Sequence, residues 1–210
     1  MGSPSFRQVA AGLGIVALLA VAHWLPVHSG AQPLRHDHTQ EWSYVKVPHS
    51  DPTPLERRLG EVASLVAERP VQVRCEEFST GTVAEPGGIV QFRDTTPADY
   101  TRIRPDVCTA IGKFIRAPNE ATVQTAVALK VLAHESFHLH GIRVEAVAEC
   151  DAMQALPRVA HALGAPEAEG RAMARAVYEL AYPGMPPKYR TPDCRPGGPL
   201  DRHPGGGWPD

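Results

Sequence analysis

From Ala121 to His140 the chain runs without a single proline or glycine. Ala126, Val127, Leu129, Val131, Leu132 and Ala133 distribute apolar side chains around every side of a 3.6-residue period, and Lys130 is the one interruption. A helix that is apolar around its circumference must lie inside a domain, with other elements packed on most of its faces. That helix carries His134-Glu135-Ser136-Phe137-His138. Histidines at i and i+4 project from one helical face a turn apart, so both imidazoles can reach one Zn²⁺ at about 2.0–2.1 Å, with Glu135 beside a zinc-bound water. The spacing therefore marks His134 and His138 as expected metal ligands and Glu135 as the expected general base.

Two histidines leave a catalytic zinc short of a third protein ligand. The following segment, Gly141-Ile142-Arg143-Val144-Glu145-Ala146-Val147-Ala148-Glu149-Cys150, offers Glu145 and Glu149. Were the helix to continue through Gly141, Glu145 would lie roughly 10 Å along the axis from His138, too far to share an ion. A break is therefore expected at Gly141, in a left-handed C-terminal position, with a turn that packs the next helix back against the first. Glu145 then faces the metal. Glu149, one turn on, is either a partner for a ligand histidine or, with a longer turn, the third ligand itself. Arg143, Tyr182 and Tyr189 are candidate donors to a developing oxyanion, with Tyr189 favoured because a Cys150–Cys194 bridge would hold its segment nearby. His140, two residues past the second ligand, points off that face and is read as a capping or surface residue.

The pair HExxH and E-x-x-A-acid resembles the gluzincin zinc metallopeptidases, whose second motif lies on the next helix. More narrowly, LAHESFHLHGIRVEAVAEC with the later YRTPDCRPGGPLD is similar to a group of exported actinobacterial proteins. The gluzincin resemblance covers about residues 130 to 151. It implies His134, His138 and Glu145 as zinc ligands, Glu135 as base and Glu149 as the acid four residues on. Two features depart from that pattern: the link between the motifs is short, and Glu149 stands where an Asp or Asn is usual. A metzincin arrangement would need a ligand at position 144, which is Val144.

Residues 8 to 27, QVAAGLGIVALLAVAHWLPV, follow Arg7 and read as an export segment, either a cleaved signal or a retained anchor within residues 1–31. Ser29-Gly30-Ala31 supplies small residues for cleavage, and Arg7 leaves the rest of the chain on the extracytoplasmic side, anchored to the membrane or secreted. Residues 32–52 read as a linker in which His36 and His38 are solvated. The folded domain is expected over 53–182, beginning with the capping box Thr53-Pro54-Leu55-Glu56. Residues 183–210, half of them Pro or Gly, form a tail expected to wrap the surface. Val71-Gln72-Val73 and Gly88–Phe92 read as two short strands, Pro157 as a kink or restart, and Pro166–Tyr182 as a final helix.

Four cysteines outside the cytoplasm read as two disulfides, with Cys75–Cys108 and Cys150–Cys194 preferred because each joins neighbouring segments. The expected fold is α+β and mainly helical, with the HExxH helix against a Glu-bearing helix and a small sheet. With 21 Lys+Arg against 23 Asp+Glu, no basic field exists for phosphate contacts, which excludes nucleic acid as a first reading. The expected activity is hydrolysis of peptide bonds in a peptide or protein substrate through a zinc-activated water. Two alternatives share the motif: a zinc hydrolase of another bond, and a non-catalytic envelope or interaction protein with a structural or vestigial zinc site.

Overall fold

Thr53 and Glu56 start the first helix by capping one another. The Thr53 hydroxyl accepts the Glu56 N–H at 3.2 Å and Glu56 Oε2 accepts the Thr53 N–H at 2.7 Å. Glu56 Oε1 also accepts the Cys75 N–H at 2.8 Å, so one carboxylate caps α1 (Pro54–Ala67) and ties it to the end of β1 (Gln72–Cys75). The computed structural model describes residues 50–81 and 86–209. The export segment and most of the linker, with His36 and His38, lie outside the described residues.

Beyond β1 come β2 (Gly88–Arg93), β3 (Thr96–Ile103), α2 (Pro105–Arg116), α3 (Val123–His140), α4 (Glu145–Ala162) and α5 (Glu167–Ala176). The fold is α+β and mainly helical. The sheet order is β1-β3-β2, with β1 parallel to β3 and β2 antiparallel to it, so β2 is an edge strand. Two strands were expected and β3 is an addition. It follows a tight turn at Asp94 (φ 56°), and its Pro97, Asp99 and Arg102 leave no apolar alternation to read, although Tyr100 and Ile103 are buried.

Helix α3 is the centre, touching α1, α2, α4, α5, β2 and β3. Its Leu129, Leu132, Ala133 and Leu139 have no solvent exposure, which is what its all-round apolar pattern demands. Gly141 ends it at φ 113°, and the Ile142 N–H reaches back to the Phe137 carbonyl at 3.0 Å. This left-handed closure frees Ile142, Arg143 and Val144 to turn the chain into α4. Helix α4 continues through Pro157, so the helix does not restart there. Gly170 of α5 packs so tightly there that a Cβ would come within 2.9 Å of Pro157 Cα, and this neighbour braces the turn that Pro157 deprives of a hydrogen bond. The expected helix to Tyr182 is α5 followed by a wider turn over Val177–Ala181.

Both cysteine pairs are joined as expected, Cys75–Cys108 across 33 residues and Cys150–Cys194 across 44. They fit an oxidising compartment outside the cytoplasm. Among the described residues no helix is long and apolar enough to cross a membrane. The tail, despite its Pro and Gly content, is firmly held by α4. Arg202 makes two hydrogen bonds to buried Asp151, at 2.7 and 2.6 Å, and the Gln154 amide donates to the Leu200 carbonyl while accepting the Arg202 N–H.

Candidate metal centre

Helix α3 brings the two motif histidines onto one face, and the three-residue turn after Gly141 aims the first residue of α4 at them. His134 Nε2 lies 3.0 Å from His138 Nε2, and Glu145 Oε2 lies 3.1 and 3.4 Å from those two nitrogens. A tetrahedral ion with bonds of about 2.0–2.2 Å has ligand-to-ligand edges of about 3.3–3.6 Å, so the triangle has nearly the right size.

The outer contacts of the rings reinforce this fit. His138 Nδ1 lies 2.6 Å from the Ile142 carbonyl, which can only accept, so Nδ1 carries the proton and a neutral His138 presents a lone pair at Nε2. His134 Nδ1 faces Glu149 Oε2 at 2.9 Å, an ion-pair contact whose angles fall short of an aligned hydrogen bond. That carboxylate favours a proton on Nδ1 and again leaves Nε2 as the lone pair. Two nitrogen lone pairs and a carboxylate oxygen thus converge on one point, an arrangement that a cation or a proton must hold together. In the protein alone the proton does so: burial opposes charge on His134, but Glu145 and Glu149 outweigh it and push its pKa up to about 9. Burial works against the Glu145 carboxylate as well, yet the two histidines hold it far below its ordinary range.

Glu149 is only 1 % exposed, and its Oε1 lies 2.7 Å from the buried ammonium of Lys130. Lys130 answers the Glu149 carboxylate, so the charge behind His134 is balanced within the protein itself. His134, His138 and Glu145 are also the one group of metal-competent side chains among the described residues. Glu149 stands behind His134, 2.9 Å from its Nδ1 and outside the group formed by His134, His138 and Glu145.

Glu135 is buried beneath the same cleft, and its Oε2 has no hydrogen-bond partner. Burial raises its pKa above the ordinary carboxylate range. Its seat exists only because position 88 is glycine, since a Cβ there would lie 2.5 Å from Glu135 Cγ. Gly87 does the same for Val131 on α3, with a Cβ falling 3.0 Å from the valine side chain. The Pro86-Gly87-Gly88 run therefore lets β2 lie directly on α3.

The cleft, about 340 Å³, is lined by Gly88, Ile89, Val90 and Phe92 of β2 and by Arg143, Lys188 and Tyr189. The Tyr189 ring lies 5.7 Å from that of His134, and burial raises its hydroxyl pKa, so the phenol remains a donor. Tyr182, a candidate donor from sequence, is engaged elsewhere: its hydroxyl accepts the Thr191 N–H at 3.0 Å. His140 lies off the site, with Nδ1 3.1 Å from the Ala67 carbonyl. Sequence reasoning missed Lys130, Gly88 and Lys188 as site residues. A lone lysine on an otherwise apolar helix was a usable signal for the first; no local signal identified the other two.

No known protein family, curated protein or solved structure matches this chain.

Proposed function

We propose that the chain is an exported zinc-dependent peptidase of the kind the gluzincin resemblance implies. The observation that carries this reading is the unpartnered, buried Oε2 of Glu135 beside a three-ligand site that opens into a cleft. Structural zinc sites are closed by four protein ligands, whereas catalytic ones keep a position open. A zinc ion held by His134, His138 and Glu145 supplies Lewis acidity and an activated water.

The chain's own residues supply the rest. Glu135, with its raised affinity for protons, receives one during attack and returns it to the leaving amine. Glu149 and the Ile142 carbonyl orient the two imidazoles through their Nδ1 atoms. Tyr189, a protonated donor at the cleft wall, is placed to hold a developing oxyanion. A peptide suits the site because, among the described residues, β2 is paired on one side only, so an extended backbone can align along it next to Glu135.

Metal content and a peptide-cleavage screen on the wild type and Glu135→Gln test the reading. Stoichiometric zinc in both, with turnover confined to the wild type, is the expected result. Stoichiometric zinc with no turnover in the wild type, and a Glu135→Gln variant of unchanged stability, would instead favour a structural site.

A further inference from the structure

The cleft carries two cations, Arg143 and Lys188, to which the proposed reaction assigns no step. Lys188 sits with its ammonium 4.6 Å from the Tyr189 ring centroid and 3.8 Å from Glu145 Oε1, so part of its charge is already answered. Arg143 is different. Its guanidinium lies 5.7 Å from the Phe92 ring centroid, and Phe92 in turn stands edge-on to His138 with 6.2 Å between rings. Among the described residues Arg143 has no carboxylate partner.

A guanidinium resting on an aromatic face keeps its N–H edge free and its plane fixed, and that edge matches a carboxylate through two parallel hydrogen bonds. The electrostatics of the cleft point the same way. Glu135 and Glu145 balance Arg143 and Lys188, so a divalent ion leaves the lined cleft with an excess of two positive charges. The N-terminal end of α4, two residues beyond Arg143, adds its partial positive charge. Phe92 and Arg143 flank the His138 side, whereas Tyr189 and Lys188 flank the His134 side, so the free guanidinium marks one end of the cleft.

We propose that Arg143 is a specificity-determining residue that captures a carboxylate of the substrate, making the preferred substrates peptides with an acidic side chain or a free C-terminal carboxylate near the scissile bond. This deepens the peptidase reading and rests on it. Arg143 is exposed and closes no core contact, so its replacement tests recognition without threatening the fold.

The test uses the full chain carrying Glu135→Gln, loaded with Zn²⁺, and equilibrium binding of alanine-based hexapeptides by calorimetry. The peptides carry one central Glu, Gln or Lys, each with a free or amidated C-terminus. The expected result is a preference of about ten- to a hundredfold for the carboxylate-bearing peptide, the range of a charge-assisted hydrogen bond. Arg143→Ala removes that preference, Arg143→Lys keeps part of it, and Arg143→Glu shifts it toward the Lys peptide. Loss on Glu-to-Gln replacement assigns the side chain as the source, and loss on amidation assigns the C-terminus. Equal affinities across the set, no binding of any peptide, or a preference that survives Arg143→Ala overturns the proposal. Parallel incubation with the zinc-loaded wild type separates the two readings: carboxylate-dependent binding without cleavage refutes the peptidase reading and leaves the Arg143 site standing.

Discussion

Zinc entry should expel at least one proton per ion at neutral pH, because a proton holds the cluster together when no metal does. His134 Nε2 must offer its lone pair to a metal, yet Glu145 and Glu149 push the His134 pKa up to about 9. At pH 7.5 that group is almost fully protonated, so binding releases about one proton; near pH 9 the number falls to about half. Glu135, also raised, can only add to it. Apparent zinc affinity should rise about tenfold per pH unit up to about pH 9 and then level off. The linked stability has the opposite sign in the metal-free protein. A raised histidine pKa stabilises fully below about 6.5, and this share, on the order of 3 kcal/mol, is lost as pH climbs through about 9. Calorimetric zinc titrations in buffers of different ionisation enthalpy count the protons, and urea melts of metal-free protein at pH 6.5 and 9.5 read the stability. Release of less than about half a proton at pH 7.5, or an affinity flat between pH 6 and 9, would refute the assignment of His134 Nε2 as the protonated ligand atom.

Gly88→Ala should leave zinc content intact while lowering turnover about a hundredfold, because the new Cβ, 2.5 Å from Glu135 Cγ, displaces the base; metal analysis beside a peptide-cleavage assay separates the two effects. Lys130→Met strands the buried Glu149 carboxylate with one partner fewer and should cost about 3–5 kcal/mol in chemical denaturation, whereas a loss under 1 kcal/mol would mean that Lys130 is not the counter-charge. Reduction should cost up to about 4 kcal/mol per disulfide by loop entropy, read as the difference between denaturation curves with and without reductant.

The parts of the molecule legible in the sequence are those governed by local rules. The all-round apolar period of α3, the i, i+4 histidines, the capping box at Thr53 and the left-handed Gly141 each act within a few residues, and all stand where the chain places them. The choice between Glu145 and Glu149 was open because it depends on the length of one turn, and three residues bring Glu145 to the histidines and set Glu149 behind His134. β3 was hidden because its apolar alternation is broken by polar residues and a proline, and its pairing with β1 is non-local. Lys130, Gly88 and Lys188 acquire a role only through partners from other elements. Burial alone turns Lys130 from an interruption of an apolar helix into a counter-charge, and only the approach of β2 to α3 makes Gly88 a constraint on Glu135.

The density of function on α4 explains how so small a domain can hold such a site. Successive residues of a helix are rotated by about 100°, so Glu149, Cys150 and Asp151 must face three directions. Each direction is used: Glu149 toward His134 and Lys130, Cys150 toward Cys194, and Asp151 toward Arg202. One turn earlier Glu145 faces the histidine pair, and three residues later Gln154 grips the tail backbone at Leu200 and Arg202. The helix that carries Glu145 is thus the helix to which the tail is fastened. The same tail carries Lys188 and Tyr189 to the cleft wall, a few residues before the disulfide that anchors it. Lys188 and Tyr189 stand on a Pro- and Gly-rich segment held by a disulfide and by the pairing of Arg202 with buried Asp151. The geometry of Tyr189 and Lys188 at the site therefore depends on Cys150 and Cys194 staying oxidised, which ties the chemistry of the cleft to the compartment that the disulfides indicate.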